Sequence, residues 1–135
     1  MPRVRTIRRS SKQIPRRLQP STWLIGTWRS DKEKTIRRWD RYGAPRPPDG
    51  GRRSFVETQL GKSVNRFTGV RWHHTYEGSG FWLPYRIVWQ NTDSVFVVYS
   101  DGNNESGELI TFVSRSTYYV QKGGYAEFFT KDGAA

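Results

Sequence analysis

From Asn65 to Lys131 the sequence is a succession of short apolar and aromatic runs, broken at regular intervals by Gly, Asn, Asp and Ser. Alternation with a period of two marks strands, and the small polar breaks mark turns. "NRFTGVRWHHTYE" places Val70, Trp72, His74 and Tyr76 on one face and Arg71, His73 and Thr75 on the other. After the turn "GSG", "FWLPYRIVWQ" gathers Phe81, Leu83, Tyr85, Ile87 and Trp89, with Arg86 and Gln90 opposite. Pro84, which lacks a ladder donor, points to an edge position or a bulge. "SVFVVYS" follows the turn "NTD", "DGNNESG" reads as a hairpin loop, and "ELITFVS", "STYYVQ" and "YAEFFTK" complete the series. Seven or eight strands joined by tight turns form a meander, and closure of such a meander removes its unpaired edges. The expected fold class is mainly β, a small antiparallel up-and-down β-barrel, with an open sandwich as the alternative.

Upstream, "STWLIGTWR" (Ser21 to Arg29) reads as the first strand. Ser30 or Asp31 then supplies an N-cap, predicting a helix to about Tyr42 with Ile36 and Trp39 as its apolar stripe. "GAPRPPDGG" is a loop, and Ser54 with Glu57 has the spacing of a capping box, predicting a second short helix over Ser54–Leu60. One or two short helices thus follow the first strand. Residues 1–20 have no periodicity and are broken by Pro2, Pro15 and Pro20, so they read as a disordered basic tail before a barrel domain at 21–135.

Only 34% of the residues are hydrophobic, but six Trp, seven Tyr and seven Phe can each bury a large area. There is no Cys, which excludes disulfides, thiolate metal sites and cysteine catalysis. No apolar run reaches membrane-spanning length and no apolar stretch follows the basic start, so the expected location is cytoplasmic. The net charge is +11, of which residues 1–20 carry seven cations and no acid. A second basic cluster spans Arg37, Arg38, Arg41, Arg46, Arg52 and Arg53. Such a balance suits nucleic acid or an anionic surface.

Gly26-Thr27-Trp28 late in a first strand, then a helix, then an antiparallel meander, resembles the lipocalin-like (calycin) superfamily, over roughly Trp23 to Lys131. The run from "PYRIVWQNTDSVFVVYSDG" to "YAEFF" is similar to small bacterial members of that group without an assigned activity. The resemblance implies that Gly26 allows close backbone packing and that Trp28 closes the barrel's end. It also implies a late-strand cation, Arg115 or Lys131, lying over that ring. A haem-binding relative, the nitrobindin group, shares the Gly-Thr-Trp start but ligates iron through a C-terminal His. No His follows Tyr76 here, so that site does not carry over.

Candidate chemistry is sparse. "GKS" at Gly61 to Ser63 lacks the upstream Gly of a phosphate loop, because Val56 occupies that position. "DGNNESG" has Ser106 and Phe112 where a calcium loop needs Gly and Glu. His73 and His74 are adjacent in a strand, so they point to opposite faces and cannot share a metal. Glu77, Glu108 and Glu127 fall at strand ends or on wet faces in this reading. No catalytic triad, cofactor motif or metal set emerges, and His74, Tyr118 and Arg86 are the residues to inspect for acid–base work. The function the pattern favours is non-enzymatic binding of a small apolar or aromatic molecule in the barrel, with Trp72, His74, Tyr76, Tyr85 and Tyr118 as its lining. The alternative is single-stranded nucleic acid or an anionic surface, held by Arg3, Arg5, Arg8, Arg9, Arg16 and Arg17 together with Arg66, Arg71 and Trp72.

Overall fold

The computed structural model describes residues 15–43 and 60–133. Eight strands run in chain order: β1 (Gly26–Ser30), β2 (Ser63–Phe67), β3 (Arg71–Tyr76), β4 (Ser79–Gln90), β5 (Ser94–Asp101), β6 (Asn104–Ser114), β7 (Thr117–Lys122) and β8 (Tyr125–Lys131). Each pairs antiparallel with the next, and β1 pairs with β8 through Trp28, Arg29 and Ser30. The chain is therefore a closed up-and-down barrel, as the meander requires. The helices among the described residues are short: α1 (Pro20–Trp23), α2 (Lys32–Arg37) and α3 (Trp39–Tyr42). Among the described residues no helix is long and apolar enough to cross a membrane.

One end of the barrel is plugged. Trp28 is fully buried, donates its indole N–H to the Leu24 carbonyl at 2.8 Å, and packs against Phe112 and Tyr118. Lys131 is its neighbour in register on β8, and the ammonium stands 5.2 Å from the ring centre. Its Nζ also donates to the Trp23 carbonyl, tying α1 across the opening. Of the two cations considered for this place, Lys131 takes it; Arg115, in the β6–β7 turn, lies over Trp23 instead. Gly26 has φ +139°, a backbone conformation that residues with a side chain rarely adopt, and it lies beside the end of the Lys131 side chain, 2.7 Å from where a Cβ would stand.

Asp31 caps α2 by accepting from the Lys34 N–H, and it also accepts from the Thr130 hydroxyl. The buried residue of α2 is Thr35, whose Oγ1 accepts from the Phe128 N–H at 2.9 Å, whereas Ile36 is exposed. The predicted Ile36–Trp39 stripe is corrected accordingly: α2 breaks at Arg38, and Thr35 meets a backbone donor that an apolar side chain would leave unpaired.

Other boundaries shift for local reasons. The first strand begins at Gly26, because Pro20 starts a helical turn in which its missing N–H costs nothing. The segment before it continues into the fold: Arg16–Leu18 form a 3-10 turn and Pro20 is buried. The run from Asn65 to Glu77 is two strands, β2 and β3, separated at Thr68–Val70, so Val70 leaves the inner face and is 66% exposed. The following turn is Glu77-Gly78 (φ +50° and +84°) rather than "GSG". Pro84 lies within a closed sheet opposite Arg71, the residue at which β3 begins, and the bulge comes later, between Ile87 and Trp89. That extra residue turns Trp89 outward. "DGNNESG" is mostly strand, its loop reduced to Gly102 and Asn103. Residues 54–59 of the predicted second helix lie outside the described residues, and Leu60 is buried in a turn.

Candidate functional site

The barrel lumen contains a cavity of about 290 Å³ at the end opposite Trp28. Trp72, His74, Phe81, Val120 and Phe129 supply its apolar wall, and Ser63, Asn65, Glu108 and Lys122 its polar one. Inward alternation on β3 delivers Trp72 and His74, which register across β4 with Leu83 and Phe81. The rings form a continuous layer: Trp72 lies 4.1 Å from Tyr99, 5.4 Å from His74 and 5.5 Å from Phe81, centre to centre.

Asn65, buried on β2, organises the floor of this layer. Trp72 Nε1 and His74 Nδ1 both contact its Oδ1, at 3.0 and 2.9 Å, and its Nδ2 lies 3.2 Å from the Tyr118 hydroxyl. An indole nitrogen can only donate, so the amide atom between the two rings must be the oxygen. The His74 nitrogen facing the same oxygen must then carry a hydrogen. In the neutral ring this leaves Nε2 with a lone pair, and Nε2 has no partner among the described residues. Burial, aided by the Lys122 ammonium, pushes the imidazole below its ordinary 6.5, so at neutral pH His74 is uncharged.

Of the three glutamates expected at strand ends or on wet faces, Glu77 lies exposed in the turn after β3, whereas Glu108 and Glu127 do not fit that expectation. Glu108 faces the lumen and accepts from the Tyr99 hydroxyl at 2.8 Å. Glu127 is 6% exposed; it accepts from Ser30 at 2.6 Å and lies 3.9 Å from Lys122. Burial raises the Glu127 carboxyl above its usual range, against the lowering pull of Ser30 and Lys122. Both were legible in the alternation, since Glu108 shares a phase with Ile110 and Phe112, and Glu127 with Tyr125 and Phe129.

Of the five lining residues named from the sequence, Trp72 and His74 border the cavity. Tyr118 lies beneath it, fully buried and stacked on Phe129 at 5.0 Å. Tyr85 belongs to the plugged end, where it packs on Phe67 and donates to the Thr68 carbonyl. Tyr76 is half-buried at the end of β3 and does not border the cavity. The acid–base trio does not assemble: Arg86 is outside, paired with Glu105 at 2.9 Å. Arg3, Arg5, Arg8 and Arg9 lie outside the described residues, while Arg16 and Arg17 are exposed in the 3-10 turn. Trp72, also offered as a nucleic-acid contact, is removed from that role by facing inward.

The site can therefore hold a flat apolar body against Trp72 and Phe81, offer an uncharged acceptor at His74 Nε2, and present a carboxylate and an ammonium beside it. Among the described residues, no group of three or more His, Cys, Asp or Glu is placed to hold a metal ion. Compared with protein-family models, curated proteins and solved structures, the chain finds no match.

Proposed function

We propose that this barrel binds, without transforming it, a small aromatic molecule that carries an N–H or O–H donor. The fold and the Gly-Thr-Trp start support reading it as a lipocalin-like protein of the calycin group. The observation that carries the proposal is the lumenal cavity of about 290 Å³, walled by Trp72 and Phe81 and bordered by His74, whose Nε2 has no partner among the described residues. That volume is at the low end for small-molecule sites, which suits a ligand of one or two rings.

The test is to titrate the full chain with 1-naphthol and with naphthalene, following tryptophan fluorescence. They differ by one hydroxyl, and a net hydrogen bond of about 0.5–1.5 kcal/mol corresponds to roughly 2- to 12-fold in affinity. Naphthol should bind more tightly by that factor at pH 8, and His74→Phe should erase the difference. Because the imidazole titrates below 6.5, the preference should be full above that pH and fade as the pH falls and Nε2 gains a proton. Equal affinity for the two probes, or an unchanged preference in His74→Phe, would reject the reading.

A further inference from the structure

The outer surface of β1–β4 differs in charge from the rest of the barrel. These four strands contain Arg29, Arg66, Arg71 and Arg86 and no Asp or Glu. The acids that adjoin the face are already engaged. Asp132 holds Arg29 at 2.8 Å, Glu105 holds Arg86 at 2.9 Å, and Glu77 holds Lys62 at 3.2 Å. Arg66 and Arg71 are exposed and have no carboxylate partner among the described residues.

These two cations stand beside an aromatic platform. Arg66, His73 and Trp82 register across β2, β3 and β4, forming a row at right angles to the strands. Trp82 is 47% exposed, the Arg71 guanidinium lies 4.1 Å from its ring centre, and the His73 ring lies 6.5 Å away at 35°. Stacking uses the guanidinium's face and leaves its in-plane N–H groups open to a phosphate. A second exposed tryptophan, Trp89, lies instead near exposed Val88 on β4 and carries no stacked cation among the described residues.

We propose that this face binds single-stranded nucleic acid, with Arg66 and Arg71 on phosphates and Trp82 as the surface on which a base stacks. Charge complementarity supplies the polyanion, and the flat, half-exposed ring selects one whose planar groups are unpaired, which a duplex does not offer. The face lies outside the lumen, so this reading stands or falls separately from the one above.

The experiment is fluorescence anisotropy of a labelled twelve-nucleotide oligo-dT with the full chain over a salt series. Basic residues near the N-terminus also attract phosphate, so the readout is each variant relative to wild type. All the substituted side chains are exposed, and circular dichroism checks that the barrel persists. Trp82→Ala should weaken binding by about tenfold, as expected for one stacked base, while Trp89→Ala stays at the wild-type value. Arg66→Ala with Arg71→Ala should also lower the slope of log affinity against log salt by about 1.4, two phosphate contacts on a single strand. Wild-type affinity in Trp82→Ala would overturn the proposal. So would equal binding of the matching duplex, or Trp82-dependent binding to phosphatidylserine vesicles without binding to oligo-dT.

Discussion

At the scale of single residues, one amide decides the chemistry of the lumen. Asn65 joins Trp72, His74 and Tyr118, and its orientation follows from the indole's inability to accept. Asn65→Asp would keep the acceptor and place a negative charge 2.9 Å from the imidazole, which favours the protonated ring. The His74 pKa should rise from its lowered value to above 6.5, measured by NMR titration of the ring protons. An unmoved titration would show that Asn65 Oδ1 does not face Nδ1 in solution. The inward phase of His74 was readable because "RWHHTY" alternates cleanly. Asn65 is not legible in the same way, because an asparagine in a strand carries no signal of its own until its three partners are seen together. Glu108 and Glu127 are hidden for a different reason: a lone glutamate in a strand is usually solvated, even where, as here, the alternation of its strand points it inward.

At the scale of elements, the helical insert acts as a clamp on the seam where the barrel closes. Phe128 points outward from β8 yet is fully buried, covered by Tyr42 and by Arg38 at 4.9 Å, while its N–H is held by Thr35. Thr35→Val keeps the shape and removes the acceptor, leaving a buried donor unpaired at a cost of about 1–3 kcal/mol. Thermal denaturation should show a midpoint lower by roughly 5 °C or more, and Thr35→Ser, which retains the hydroxyl, should fall less. If serine and valine fall equally, the bond contributes nothing. The existence of a helix here was legible from its aspartate cap. Its buried side was not, because a six-residue helix is too short for periodicity to name a face. Bulges hide in the same way: nothing in "RIVWQ" announces the extra residue that sends Trp89 outward, since the choice is made by pairing with β5.

At the scale of the whole molecule, the sequence carried closure in its count of strands, and the eight strands do close. The division of charge also shows at this scale, with acids absent from the first four strands and present inside the lumen on β6 and β8. It was blurred in the sequence because the most basic stretches lie elsewhere in the chain. The plugged end has a kinetic consequence. With Trp28 sealing one side and half-exposed Phe81 bordering the cavity at the other, Phe81 stands, among the described residues, where a guest of the proposed kind would enter and leave. Phe81→Ala should therefore raise the association and the dissociation rate constants of 1-naphthol together in stopped-flow fluorescence; an unchanged association rate would mean that a second route exists. On the binding reading proposed above, how long a guest stayed would be set by the side chain at the threshold as much as by the grip inside.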